Sequence, residues 1–169
     1  MILGMIEIVQ ERIWVMYVKY RIIEVKEDYL EEALDVVKKT FDEFEAPEYS
    51  KEGIENFYKF IDIDNIKKML NNNLRLLMIE SYDRVVGVIG YRDNSHICLL
   101  FVDKKHHHQG IAKALYEKVR KEVQAYTDKI TVNSSPYALG FYKKIGFIET
   151  NELQEVDGIK FIPMEISIK

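Results

Sequence analysis

Leu100-Phe-Val-Asp-Lys-Lys-His-His-His-Gln-Gly-Ile-Ala-Lys-Ala-Leu115 is the stretch whose reading decides the fold. An apolar run ends in a polar, basic turn, and the turn opens directly into a helix at Gly110. The first turn of a helix carries backbone N–H groups without partners and the positive end of the helix dipole, so such a corner takes phosphate oxygens. Gly110 has no Cβ, and a diphosphate can approach its backbone closely. Ala112 is small in the same way, and Lys104, Lys105 and Lys113 add positive charge. Beyond the corner, Ile111, Leu115, Val119 and Val123 recur at a spacing of four, which predicts an amphipathic helix to about residue 125.

Upstream, three strands are predicted over 74–80, 85–92 and 96–102, joined by the short turns Ser81-Tyr-Asp-Arg84 and Asp93-Asn-Ser95, which suit antiparallel hairpins. The third, His-Ile-Cys-Leu-Leu-Phe-Val, is apolar on both faces after its first residue and is expected to be central and covered on both sides. Earlier still, a strand is expected over 18–25 and a helix over 28–44, whose apolar residues Tyr29, Leu30, Ala33, Leu34, Val37, Phe41 and Phe44 form one stripe. Ser50 caps a helix to about residue 60, and a short helix follows over 64–70. Downstream, a strand over 129–133, a helix over 136–145 and strands over 147–155 and 159–168 complete the chain. This order predicts an α/β fold with a mixed, mostly antiparallel central sheet flanked by helices. The single domain is placed at 16–169. Met16 opens a second workable start, and residues 1–15 are read as an extension or a misassigned start.

The bulk properties agree with one core: 169 residues, 47% apolar and 31% charged. A net charge of -4 gives no nucleic-acid footprint. The single cysteine, Cys98, cannot form an internal disulfide, and an inert thiol in a reducing compartment is expected. No apolar stretch approaches the ~20 residues of a membrane span, and the first residues lack the cationic start of a signal peptide. A cytoplasmic protein with no membrane partner is expected.

A second block lies downstream: Val132-Asn-Ser-Ser-Pro-Tyr-Ala-Leu-Gly-Phe-Tyr-Lys-Lys-Ile-Gly-Phe147. Together the two blocks resemble the GNAT superfamily of acetyl-CoA-dependent N-acetyltransferases. His107-His-Gln-Gly110-Ile-Ala112 is similar to the family's pyrophosphate loop, Gln/Arg-x-x-Gly-x-Gly/Ala, with Gly110 and Ala112 matching and His107 departing. In the second block, Asn133, Ala138, Phe141, Tyr142, Gly146 and Phe147 match the family's late segment. The resemblance covers about residues 18–168.

The resemblance implies acetyl-CoA as co-substrate, with His107, His108, Gln109, Gly110, Ile111, Ala112 and Lys113 around the pyrophosphate. It also implies that the backbone of Phe101 and Val102 pairs with the pantetheine arm, beside a splayed strand pair, and that Asn133 bonds the arm or a water. Tyr142 is implied as the acid that protonates the departing thiolate. For the base, the histone-acetylating branch of the family carries a glutamate eleven residues before the Gln/Arg of its loop, and the resemblance places His96 there, whose ordinary pKa near ~6.5 leaves it able to take a proton at neutral pH; Glu80 and Asp93 are rivals. The acceptor side is assigned to the first two helices and their loop, where Glu43, Glu45, Glu48 and Tyr49 make an acidic, aromatic setting for a cationic amine. His106, His107 and His108 do not make a three-ligand face, and no metal is expected. The expected activity is direct attack of a primary amine on the thioester in a ternary complex, with a small-molecule acceptor favoured. A protein lysine or N-terminal acceptor and a non-catalytic acyl-CoA-binding module are the alternatives. Dimers are common in the family, so a homodimer is expected.

Overall fold

The computed structural model describes residues 12–15 and 18–169. Of the extension assigned to residues 1–15, residues 1–11 lie outside the described residues. The strands are β1 (Arg12–Val15), β2 (Val18–Glu24), β3 (Arg75–Ser81), β4 (Arg84–Arg92), β5 (His96–Val102), β6 (Lys129–Ser134), β7 (Ile148–Glu149), β8 (Gln154–Val156) and β9 (Ile159–Ser167). The helices are α1 (Glu27–Phe44), α2 (Lys51–Phe60), α3 (Ile63–Leu70), α4 (Ile111–Val123) and α5 (Leu139–Lys144).

The strands order as β1-β2-β3-β4-β5-β6-β9-β7, with β8 paired to β9. Every pairing is antiparallel except β5 with β6. The mixed, mostly antiparallel sheet expected from the sequence is the one observed. The two central hairpins form where short turns allow it. Tyr82 and Asp83 both take positive φ, as do Asp93 and Asn94, the twist that tight hairpins need.

One core lies on each face of the sheet. On the first, Leu30, Ala33, Val37 and Phe41 of α1 join Phe57 of α2, Ile66 of α3 and Leu76, Met78 and Val88 of the sheet. On the second, Ile111, Leu115, Tyr116, Val119 and Val123 of α4 join Tyr142, Phe147 and Met164. α2 starts where expected, with the Ser50 hydroxyl accepting from the Gly53 amide at 3.1 Å. Gly87 of β4 lets α4 sit close on the sheet: a Cβ there would meet Ile111 and Ile79 methyls at 3.0 Å.

Two expectations change. The strand expected over 147–155 is two short strands, β7 and β8, each paired separately with β9. β3 and β4, not β5, are the strands buried along nearly their whole length. β5 alternates buried with half-buried residues up to Phe101. Its pairing with β6 stops after His96↔Thr131 and Ile97↔Val132. Past that point no strand among the described residues covers the β6-facing edge, and Cys98 and Leu100 stay half-buried.

Candidate active site

The end of the β5–β6 pairing is the feature around which the site is built. Opposite β4, Leu99 pairs with Gly90 and Ile97 with Tyr91, so Cys98 is an extra residue, a β-bulge. The bulge swings the strand, and β5 and β6 part like the arms of a V. Along the parted arm, backbone groups of β5 that would have met β6 have no ladder partner.

The phosphate corner closes the β5 arm. Asp103 caps a single 3-10 turn, Lys104–His106, by accepting from the Lys105 amide at 2.9 Å. The chain then passes through His108 at φ 59° and Gly110 at φ 80°, conformations that glycine adopts without strain. A Cβ on Gly110 would have no atom within 4 Å, so the corner faces open space. The first helical bond of α4 runs from the Ala114 amide to the Gly110 carbonyl at 2.9 Å. The amides of Ile111, Ala112 and Lys113 precede it and have no acceptor within the helix. Lys113, His108 and Gln109 are exposed, Ala112 is half-buried and Ile111 is buried in the core.

His107 is turned into the protein. Its amide donates to the Lys104 carbonyl at 3.2 Å, and its Nε2 lies 2.7 Å from the Val102 carbonyl, so that nitrogen carries the proton. Gln109 is also bonded inward, accepting from the Tyr20 hydroxyl at 2.8 Å and donating to the Lys105 carbonyl at 3.0 Å. What this corner presents outward is therefore backbone amides and lysine charge.

The last turn of α1 lies across the mouth of the V. The Thr40 hydroxyl donates to the Val102 carbonyl at 3.5 Å on the β5 side. The Phe44 ring has the His107 ring on one side and the Tyr137 ring on the other, each at 5.0 Å. Lys104 pairs with Glu43. The Glu45 carboxylate accepts from the Tyr49 hydroxyl at 3.4 Å and lies near Ser135, just past the end of β6. The acidic loop thus divides: Glu43 is tied to Lys104, Glu48 is exposed, and Glu45 turns inward. Burial pushes the Glu45 carboxyl up to about 7, with Glu48 adding to the rise and the two hydroxyls opposing it.

Tyr142, on α5, is 4% exposed. Burial drives its phenol far above the ordinary tyrosine range, and Glu45 and Cys98 lie near enough to drive it further. Cys98 itself is pushed up to about 12 by burial, which keeps it a thiol. Glu45, just past α1, Tyr142 on α5 and Cys98 at the bulge therefore share one region. Asn133 is exposed on the β6 arm, opposite Pro163 of β9.

His96 sits where β5 and β6 still pair. Its Nδ1 lies 2.9 Å from the Thr131 hydroxyl. Burial and Arg92 lower its pKa while Asp93 raises it, so it is neutral at pH 7. The two rivals are engaged elsewhere. Glu80 pairs with Arg21 at 2.6 Å, and Asp93 accepts from the Asn73 amide group. Among the described residues no three His, Cys, Asp or Glu side chains converge in a metal-binding group, and no helix is long and apolar enough to cross a membrane.

The acetyltransferase (GNAT) domain family matches residues 45–168, most of the chain. The chain belongs to the GNAT acetyltransferase family. Solved structures agree on the fold. A GCN5-related N-acetyltransferase from Rhodopseudomonas palustris superposes with a TM-score of 0.76 at 18% identity, covering 86% of this chain and 94% of that one. The PaiA N-acetyltransferase from Thermoplasma acidophilum, solved in complex with coenzyme A, gives 0.70 at 20% identity, covering 88% and 98%. An aminoglycoside 6'-N-acetyltransferase from Enterococcus faecium gives 0.62 at 16% identity, covering 88% and 97%. This GNAT chain is an N-acetyltransferase by family. The raised carboxyl at 45 was not legible as such in the sequence, because its setting depends on Ser135 and Tyr142, some ninety residues away.

Proposed function

We propose that this chain moves an acetyl group from acetyl-CoA to a primary amine, a small molecule in preference to a protein, by direct attack within a ternary complex. The observation that carries the reading is the V between β5 and β6, which ends at an open helix corner on one arm and at a buried phenol on the other. The residues fit coenzyme A. Amides from His108 to Lys113 and the charge of Lys113 face the pyrophosphate, with His107 holding the loop from within. The edge of Phe101 and Val102 and the exposed Asn133 flank the pantetheine arm. A backbone amide of β5 stabilises the thioester oxygen as it becomes an oxyanion.

Tyr142 donates to the sulfur. A phenol this strongly shifted is a weaker acid than an ordinary thiol, near ~8.5. It releases its proton only as it regains one from the nitrogen of the tetrahedral intermediate. The phenol is therefore a relay rather than a standing acid. Thiol release from acetyl-CoA with a set of primary amines tests the reading. Amine-dependent release by wild type is expected. Tight CoA binding without any release would favour a non-catalytic acyl-CoA-binding module instead.

A further inference from the structure

We propose that the Glu45 carboxylate receives the acceptor's ammonium group at the mouth of the β5–β6 opening and takes its proton, which makes the acceptor a cationic primary amine. This rests on the acetyl-transfer reading above and assigns the acceptor side of the same site.

The geometry comes from four elements. Glu45 follows the last residue of α1, and its amide closes that helix on the Phe41 carbonyl at 2.9 Å. The same turn of α1 touches both arms of the opening, through Thr40 to Val102 and through Phe44 to His107 and Tyr137. The Glu45 carboxylate lies near Ser135 at the start of the β6–α5 turn, and the Ser135 hydroxyl accepts from the Ala138 amide at 3.2 Å. Tyr49 holds it from the other side and also donates to the Lys160 carbonyl at 3.2 Å. The titratable groups that act on Glu45 or feel it are Tyr49 and Glu48 beyond α1, Tyr137 in the β6–α5 turn and Tyr142 on α5. No cation stands among these partners, whereas Glu43 already has Lys104. A half-buried carboxylate with only hydroxyl donors suits an incoming ammonium.

The proton balance closes. An alkylammonium gives one proton to ionised Glu45, which passes it to solvent. The neutral amine attacks the thioester carbonyl, the C–N bond forms and the C–S bond breaks. The sulfur takes the Tyr142 proton, and Tyr142 regains one from the nitrogen. The products are the amide and CoA thiol, with one proton released overall. Burial helps the first step: a carboxyl at about 7 instead of 4.5 narrows its gap to a lysine-like amine, near ~10.4, by more than two powers of ten. His96 is neutral and lies against Thr131 at the paired end of the strands.

The test follows thiol release with 1,4-diaminobutane, tyramine and glucosamine across neutral pH for wild type, E45Q, Tyr49→Phe and H96A. E45Q is expected to lower kcat/KM by ~10²-fold or more at pH above about 7 and to flatten the acidic limb of the profile. Tyr49→Phe removes a donor that favours the ionised carboxylate, so the midpoint of that limb moves upward; a structural role alone would not move it. H96A is expected to leave the limb in place. Full activity with an intact limb in E45Q, or a limb lost in H96A alone, would overturn the assignment. Calorimetry with CoA keeps the two readings apart. A wild type that binds no CoA sinks acetyl transfer itself. E45Q that binds CoA normally and acetylates at the wild-type rate sinks only the role of Glu45.

Discussion

Tyr142 carries a phenol that burial holds protonated through the physiological range, beside Glu45 and Cys98. Replacing it with phenylalanine keeps the ring that packs against Phe141 and Phe147 at 5.2 Å each. The expected outcome for Y142F is a turnover loss of ~10²-fold with CoA affinity nearly unchanged, read by thiol release beside calorimetry. Glu45 gives a stability prediction with a definite sign. Its folded pKa, about 7, lies above the unfolded 4.5, so the folded state favours the protonated acid. The stability this contributes is full below about 4.5 and is lost as pH rises through about 7. The difference is at most about 3 kcal/mol. E45Q mimics the neutral acid, so its melting temperature should exceed that of wild type at pH 8 and match it near pH 4; a lower melting point at pH 8 would contradict the burial argument. At this scale the sequence is legible only where a role is local. Tyr142 stands inside a recognisable block, whereas the setting of Glu45 is made by the meeting of α1 with the β6–α5 turn.

The strand–turn–helix corner at Gly110, at the scale of one loop and one helix, was readable because its physics is local. A buried strand, a basic turn and a glycine at the helix mouth are adjacent in the chain. The hairpins of β3, β4 and β5 were readable for the same reason. The bulge at Cys98 and the early end of the β5–β6 ladder were not. Both depend on register with strands elsewhere, and the apolar run of β5 suggested full cover where the structure leaves an edge. Gly110 tests the corner. The protein itself has room for a Cβ there, so Gly110→Ala acts through φ and through the ligand rather than through packing. The variant is expected to lose about 1 kcal/mol of stability from the left-handed φ and to bind CoA ~10-fold more weakly in a titration. Gly87→Val acts differently. Its side chain collides with Ile111 and Leu115 of α4, and its cost, about 1–3 kcal/mol, should appear in the melting temperature.

The whole molecule places one core on each face of a sheet that opens between β5 and β6, and the ends of α1, α4 and α5 meet around that opening. The family match over residues 45–168 and the TM-scores up to 0.76 among the three relatives describe the same arrangement. The order of elements from β2 to α5 was legible because turn residues and helical stripes punctuate the chain, whereas β1 and the division of the expected strand over 147–155 into β7 and β8 were not. The surroundings of Glu45 were not legible, because they come from separate elements. A ligand held across both arms and the α4 mouth should stabilise the fold by about 2.7 kcal/mol at a hundredfold excess over Kd. The most direct measurement is calorimetric titration of the pure protein with CoA. The account predicts saturable binding of one CoA per chain, weakened in Gly110→Ala. Absence of heat at millimolar CoA, or equal affinity in that variant, would contradict it.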